Sequence, residues 1–154
     1  MVRIKQKTIV TAVAEGTRVS HSRTDVRIRD LSVTLDEPIE RGGTNQGLAP
    51  TDTLMAALVG CTNVITHKIA EKNGVHLSAM RVRLEADFDR RGVQLAEEVD
   101  LPFPAMRLHI DITTDADDAA IERLKRELAM YCAISKLIRA SGTRIEEIWS
   151  VSRP

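Results

Sequence analysis

The chain is poor in aromatic residues. Two Phe, one Tyr and one Trp make up 3% of 154 residues. Binding of single-stranded nucleic acid rests on stacking platforms, and this chain has almost none. Charge of one sign is also missing: 22 Lys and Arg balance 22 Asp and Glu. With no net field there is nothing to draw in a polyanion, so nucleic-acid partners are not expected. No stretch approaches the roughly 20 apolar residues of a membrane span, so no membrane partner is expected either. The start, MVRIKQKTIV, lacks the apolar run of a secretory signal, which points to the cytoplasm. Cysteine is scarce: only Cys61 and Cys132, with four histidines, His21, His67, His76 and His109. No CxxC, HxH or HExxH spacing occurs among them, so no metal centre is expected. No glycine-rich phosphate motif opens a helix, so neither dinucleotide nor P-loop chemistry is indicated.

What is present is an ordinary globular composition, 43% hydrophobic and 29% charged, without repeats or linkers. It reads as a single domain over residues 1–154. Residues 7–15 are β-branched and end at Gly16, which predicts a strand. Val26, Ile28, Leu31, Val33 and Leu35 run at a spacing of two with a slip after Ile28, as a bulge would give. Residues 40–53 hold three glycines, an asparagine and a proline, and form a loop. From there a long helix is expected, capped around Pro50–Thr53 and stopped by Asn73-Gly74. Residues 54–61 are apolar or small without a break, the pattern of a buried helix. Residues 80–89 and 107–112 alternate as half-buried strands, joined by residues 91–104. Thr114 or Asp115 then caps a helix with Ile121, Leu124, Leu128 and Tyr131 on one stripe. A further helical stretch carries Cys132, Ile134, Leu137 and Ile138, and residues 144–152 form a closing strand. Strands, helix, two strands, helices and a strand make an α+β fold.

Cys61 sits within the apolar helix, where a thiol is either a small core residue or a nucleophile awaiting a cation or donor. Cys132 falls where one helical stripe ends and the next begins. There the free N–H groups of a helix start favour the thiolate. A thiol that reduces a peroxide becomes a sulfenic acid, and a second thiol must approach to resolve it.

The run GGTNQGLAPTDTLMAALVGCTN, residues 42–63, resembles the OsmC/Ohr family of thiol-dependent peroxidases, and CAISKLI, residues 132–138, is similar to the family's second cysteine segment. DFDRRG, residues 87–92, and the proline loop also look like an OsmC-like subgroup. The resemblance implies antiparallel sheets around a long buried central helix, in an intertwined homodimer. It implies reduction of organic or fatty-acid hydroperoxides, with Cys61 as the peroxidatic and Cys132 as the resolving thiol. A dithiol donor such as a lipoyl-protein would regenerate the pair, with no cofactor. The sequence departs from the family in three places. The glutamate that usually follows the helix-opening proline is replaced by Thr51 and Asp52. Asp52 is the nearest carboxylate, but nine residues from Cys61 place it about 13 Å along the helix and on its opposite face. The activating arginine is matched best by Arg18, with Arg23, Arg27, Arg29 and Arg41 as competitors. Ala133 replaces the proline that commonly follows the second cysteine, which would leave Cys132 inside a continuous helix.

Two other functions remain open on the sequence. One is a non-enzymatic binding module for an apolar, lipid-like ligand on the same scaffold. The other is a cysteine-dependent acyl transferase or hydrolase, for which only His67 is near Cys61 in sequence. Six residues put His67 about 240° around the helix, a poor spacing for a Cys–His pair. Lys68 and Lys72, with Glu71 between them, read as a solvated face.

Overall fold

The computed structural model describes residues 8–154. They form two compact units, one ending at Thr53 and one running from Leu54 to Pro154.

The first unit is an antiparallel sheet of three strands, β1 (Ala14–Arg18), β2 (Thr24–Ile28) and β3 (Leu31–Leu35). β1 begins later than the β-branched run predicts and passes through Gly16, which pairs with Val26. Residue 7 of the expected strand lies outside the described residues. The phase slip after Ile28 is not a bulge. It is a two-residue turn in which Arg29 takes a φ of 60°, and Ile28 pairs directly with Leu31 across it.

Beyond β3 the chain folds around one carboxylate. Asp36 is fully buried. It accepts hydrogen bonds from the Ser22 hydroxyl (3.0 Å), the Glu37 N–H (2.9 Å), the Thr44 N–H (3.0 Å) and hydroxyl (2.5 Å), and the Gln46 N–H (3.1 Å). The Thr44 hydroxyl leads these donors in holding the carboxyl well below the usual carboxylate range. The loop's glycines are dictated by close approach. A Cβ on Gly43 would stand 1.7 Å from the Glu37 carbonyl oxygen, and one on Gly47 would stand 2.2 Å from that of Thr34.

Helix α1 (Pro50–Lys72) follows and ends as expected. Gly74 takes a φ of 67°, and the Val75 N–H returns to the Ala70 carbonyl. At 23 residues α1 reaches the length and apolar content of a membrane-crossing helix, which the sequence reading placed out of reach. It is not buried all round, either. Leu58, Thr62, Thr66, Ile69 and Ala70 make a buried stripe, whereas Ala56, Ala57, Gly60 and Val64 are exposed.

The second unit holds β4 (Ala79–Asp87), β5 (Ala105–Thr113) and β6 (Arg144–Ser152) in one sheet. β4 and β5 are antiparallel, but β5 and β6 are parallel, so the sheets are not all antiparallel as expected. The parallel step requires a crossover, supplied by α2 (Asp118–Tyr131) and α3 (Ala133–Ala140). The cap of α2 is Asp117, whose carboxylate accepts from the Ala120 N–H at 2.8 Å. Neither Thr114 nor Asp115, the two caps expected from sequence, takes that place; Thr114 instead ties the strand end down by donating to the His76 carbonyl at 2.7 Å. Met106, Leu108, Ile110 and Ile112 of β5 form the core with Leu58, Ile69, Leu124, Leu128, Ile138 and Ile145. Tyr131 and Leu137, placed on buried stripes by their spacing, are 52% and 67% exposed.

Candidate functional site

The second unit brings the two thiols together across 71 positions of sequence. The Cys132 thiol donates to the Cys61 sulfur at 3.1 Å. Both cysteines are free. Cys61 projects from the middle of α1 and is half-buried, while Cys132 is fully buried and part of the hydrophobic core.

Cys132 is held by a break between helices. Its N–H closes α2 on the Leu128 carbonyl at 3.0 Å, and its carbonyl opens α3 by accepting the Lys136 N–H at 3.0 Å. Its ψ of 102° is extended, so the helix does not run through it. The expectation that a missing proline would leave Cys132 inside a continuous helix is therefore overturned. The N–H groups of Ser135 and Ile134 reach the sulfur and favour its charged form. Burial outweighs them and pushes the thiol up to about 11. The helix start alone pointed to a thiolate here; desolvation reverses that. Cys132 keeps its proton and lends it to Cys61.

Arg139 fixes α3 to β6. Its guanidinium donates to the Ser135 hydroxyl (3.3 Å), the Ile145 carbonyl (2.8 Å) and the Glu147 carboxylate (3.1 Å). This clamp, which the sequence reading did not single out, is anchored about two turns beyond Cys132. Its signal in sequence is no more than an Arg–Glu pair eight residues apart.

The other residues singled out from sequence lie elsewhere. Asp52 is exposed in the first turn of α1 and makes no hydrogen bond or ion pair among the described residues. Arg18 closes β1 in the first unit and is exposed. Among its competitors, Arg23 is taken up by Gln46 and Asp25, Arg27 by the Arg29 carbonyl, and Arg41 by Glu37. Arg18 and Arg29 donate no hydrogen bond from the side chain among the described residues. His67 is exposed, and its Nδ1 is bonded to the Asn63 carbonyl at 2.9 Å. Among the described residues no hydrogen bond joins it to either sulfur, and its place on the helix is about 240° around from Cys61. Among the described residues no cluster of His, Cys, Asp and Glu could hold a metal ion.

A groove of about 340 Å³ is lined by Ile65, Lys68, Ile69 and Lys72 of α1 and by Glu127 and Tyr131 of α2. Lys72 is 3.8 Å from Glu127 and stands over the Tyr131 ring at 5.7 Å. Part of what reads as a solvated face in sequence is thus the wall of a cavity.

Residues 43–147 match the family described as OsmC-like protein. No curated protein sequence matches the chain. Among solved structures it resembles an OsmC-like protein from Mycoplasma pneumoniae, with a TM-score of 0.77 and 13% identity over 93% of this chain and 98% of that one. An organic hydroperoxide resistance protein OsmC from Legionella pneumophila gives a TM-score of 0.67 at 21% identity, covering 95% and 99%. An organic hydroperoxide resistance protein from Elizabethkingia anophelis, with thiocyanate bound, gives 0.66 at 18% identity, covering 97% and 100%.

Proposed function

This chain belongs to the OsmC-like protein family, and on that premise we propose that it reduces organic hydroperoxides with the Cys61–Cys132 pair. The observation that carries this reading is the approach of the two sulfurs to 3.1 Å, one accessible and one buried. The accessible sulfur of Cys61 attacks the terminal oxygen of the hydroperoxide. The O–O bond breaks, the alkoxide leaves as alcohol with the thiol proton, and Cys61 becomes a sulfenic acid. Cys132 then attacks that sulfur. The S–O bond breaks, and hydroxide leaves as water with the Cys132 proton. Two thiols have been oxidised to a disulfide and one peroxide reduced to alcohol and water. A dithiol donor, of the lipoyl-protein type, returns the pair to thiols by exchange.

The activating cation in this reading is Arg18, which has no competing side-chain bond among the described residues. Its charge stabilises the leaving alkoxide. The working form is a homodimer in the cytoplasm. Support for the dimer comes from the exposed apolar face of α1 (Ala56, Ala57, Gly60, Val64) and from Ile28, Leu31 and Val33 of the first sheet, which are also exposed. A single chain leaves a great deal of apolar surface in water.

The test is a thiol count on the reduced protein before and after one equivalent of organic hydroperoxide. Loss of both thiols and of two hydrogens per chain is expected. Cys61→Ser abolishes consumption with the fold intact. Cys132→Ser allows one turnover and leaves an oxygen on Cys61. An active Cys61→Ser variant, or thiols unchanged over minutes, defeats the reading.

A further inference from the structure

The clamp on α3 reaches the second thiol through one side chain. Ser135 is buried in the first turn of α3, three residues after Cys132. Its N–H and that of Ile134 favour the charged form of the Cys132 sulfur, against burial. Among the described residues the Ser135 hydroxyl is held by Arg139 alone, at 3.3 Å. Arg139 lies four residues on, along the same face of the helix. From there its guanidinium crosses to β6, donating to the Ile145 carbonyl and the Glu147 carboxylate. Glu147 is anchored in turn, because its second oxygen accepts from the Trp149 indole at 3.3 Å. Trp149, Glu147, Arg139 and Ser135 therefore form one chain of hydrogen bonds that ends at the turn beside Cys132.

That chain fixes position and adds little field. Glu147 balances the charge of Arg139. Among the described residues Cys61 is the one titratable group that acts on the Cys132 sulfur directly. What the clamp controls is where the first turn of α3 sits against β6. Disulfide formation is sensitive to that place. The sulfurs stand 3.1 Å apart and must close to a bond of about 2 Å. A misplacement of about 1 Å at a reacting pair costs up to about a hundredfold in rate.

We infer that Arg139 is a positioning residue for the resolving step: by tying Ser135 to β6 it keeps the Ile134 and Ser135 N–H groups on the Cys132 sulfur while that sulfur loses its proton and attacks the sulfenic acid of Cys61. This rests on the hydroperoxide reading above. In the step itself an S–S bond forms and the S–O bond of Cys61 breaks. Hydroxide leaves with the Cys132 proton as water. The N–H groups offset the negative charge that the Cys132 sulfur carries on the way. Without the clamp the sulfenic acid waits longer. A second hydroperoxide then converts it to sulfinic acid and is itself reduced to alcohol. Arg139 thereby sets the division of Cys61 between recycling and irreversible oxidation.

The experiment is a rapid-quench series on the full-length reduced protein with tert-butyl hydroperoxide, stopped by a thiol-alkylating reagent and read by intact mass. It separates the rate of sulfenic acid formation on Cys61 from the rate of disulfide formation. Arg139→Met should leave the first rate unchanged and slow the second about threefold near neutral pH. A thiol raised by one unit gives a tenfold scarcer thiolate, and its greater nucleophilicity recovers about threefold of that. The rise of disulfide formation with pH should move to higher pH in Arg139→Met, and under excess hydroperoxide the sulfinic acid share should grow. Ser135→Ala keeps Arg139 on Glu147 but cuts its link to α3, so it should share the defect. Arg123→Met, the same change at an exposed position of α2, should alter neither rate. Equal slowing of both steps in Arg139→Met marks a merely structural role and overturns the inference. So does an unchanged disulfide rate with an unchanged pH profile in Arg139→Met or in Ser135→Ala, and the second variant decides the matter where the first does not fold. Absence of both sulfenic acid and disulfide in the unsubstituted protein defeats the underlying hydroperoxide reading itself.

Discussion

At the scale of residues, the site is governed by a contest between burial and hydrogen bonding at Cys132. Burial wins, and the thiol rises to about 11 from its ordinary 9.0. An acid that holds its proton more tightly when folded adds stability at pH below the unfolded value. That stability is lost as pH rises through the folded value. The melting temperature should therefore fall between pH 9.0 and about 11, and Cys132→Ser should flatten that fall. Alkylation should separate the thiols in the same way, with Cys61 modified first and Cys132 resistant at neutral pH. Asp36 shows the opposite sign. Its folded carboxyl lies well below the usual range, led by the Thr44 hydroxyl, so its contribution is present above the unfolded value of 3.8 and lost as pH falls below it. Asp36→Asn should lower acid sensitivity along with the melting temperature, and should increase proteolytic nicking in residues 42–49. Unchanged nicking would mean that the loop does not depend on this carboxylate.

At the scale of elements, backbone contact decides which small residues are required. Gly74 occupies open space at a φ of 67°, so Gly74→Ala should cost about 1 kcal/mol from backbone strain alone. Gly43→Ala should cost far more, because its Cβ meets the Glu37 backbone and not a side chain that can swing away. Urea denaturation of the two variants checks the order. In the second sheet Ile110 is fully buried on β5. Ile110→Ala should cost about 2–5 kcal/mol through lost burial and the cavity left behind. The elements themselves are well marked in the sequence. The alternation of Val82, Leu84 and Ala86 reports one sheet face because side chains alternate along a strand. Asn73-Gly74 reports a helix end because glycine takes the left-handed conformation without strain. The caps are less legible. Thr114, Asp115 and Asp117 all suit a helix start, and the choice fell to Asp117 because Thr114 is drawn to the His76 carbonyl, 38 residues away.

At the scale of the whole molecule, the apolar residues outnumber the places available to bury them in one chain. Val64 and Leu31 are 49% and 60% exposed. The proposed homodimer covers such surface, so sedimentation should give twice the mass of the chain, and Val64→Asp should shift the protein toward monomer. A wild-type monomer at micromolar concentration would refute the dimer. The unbroken run of apolar and small residues in α1 had suggested burial on all sides. One chain buries only the stripe through Leu58, Thr62, Thr66 and Ile69.

The sequence by itself determined the order of elements, the α+β class and the two thiols, because periodicity, turn residues and residue chemistry are local properties. Its motifs around Cys61 and Cys132 also carried the family. Tertiary structure alone decided that sulfurs 71 residues apart meet at 3.1 Å, since only packing of α1 against the α2–α3 break places them there. It decided the protonation of Cys132, because burial is not a property of the residue. It also turned Lys68 from a surface charge into the wall of a groove, because Glu127 and Tyr131 come from another helix.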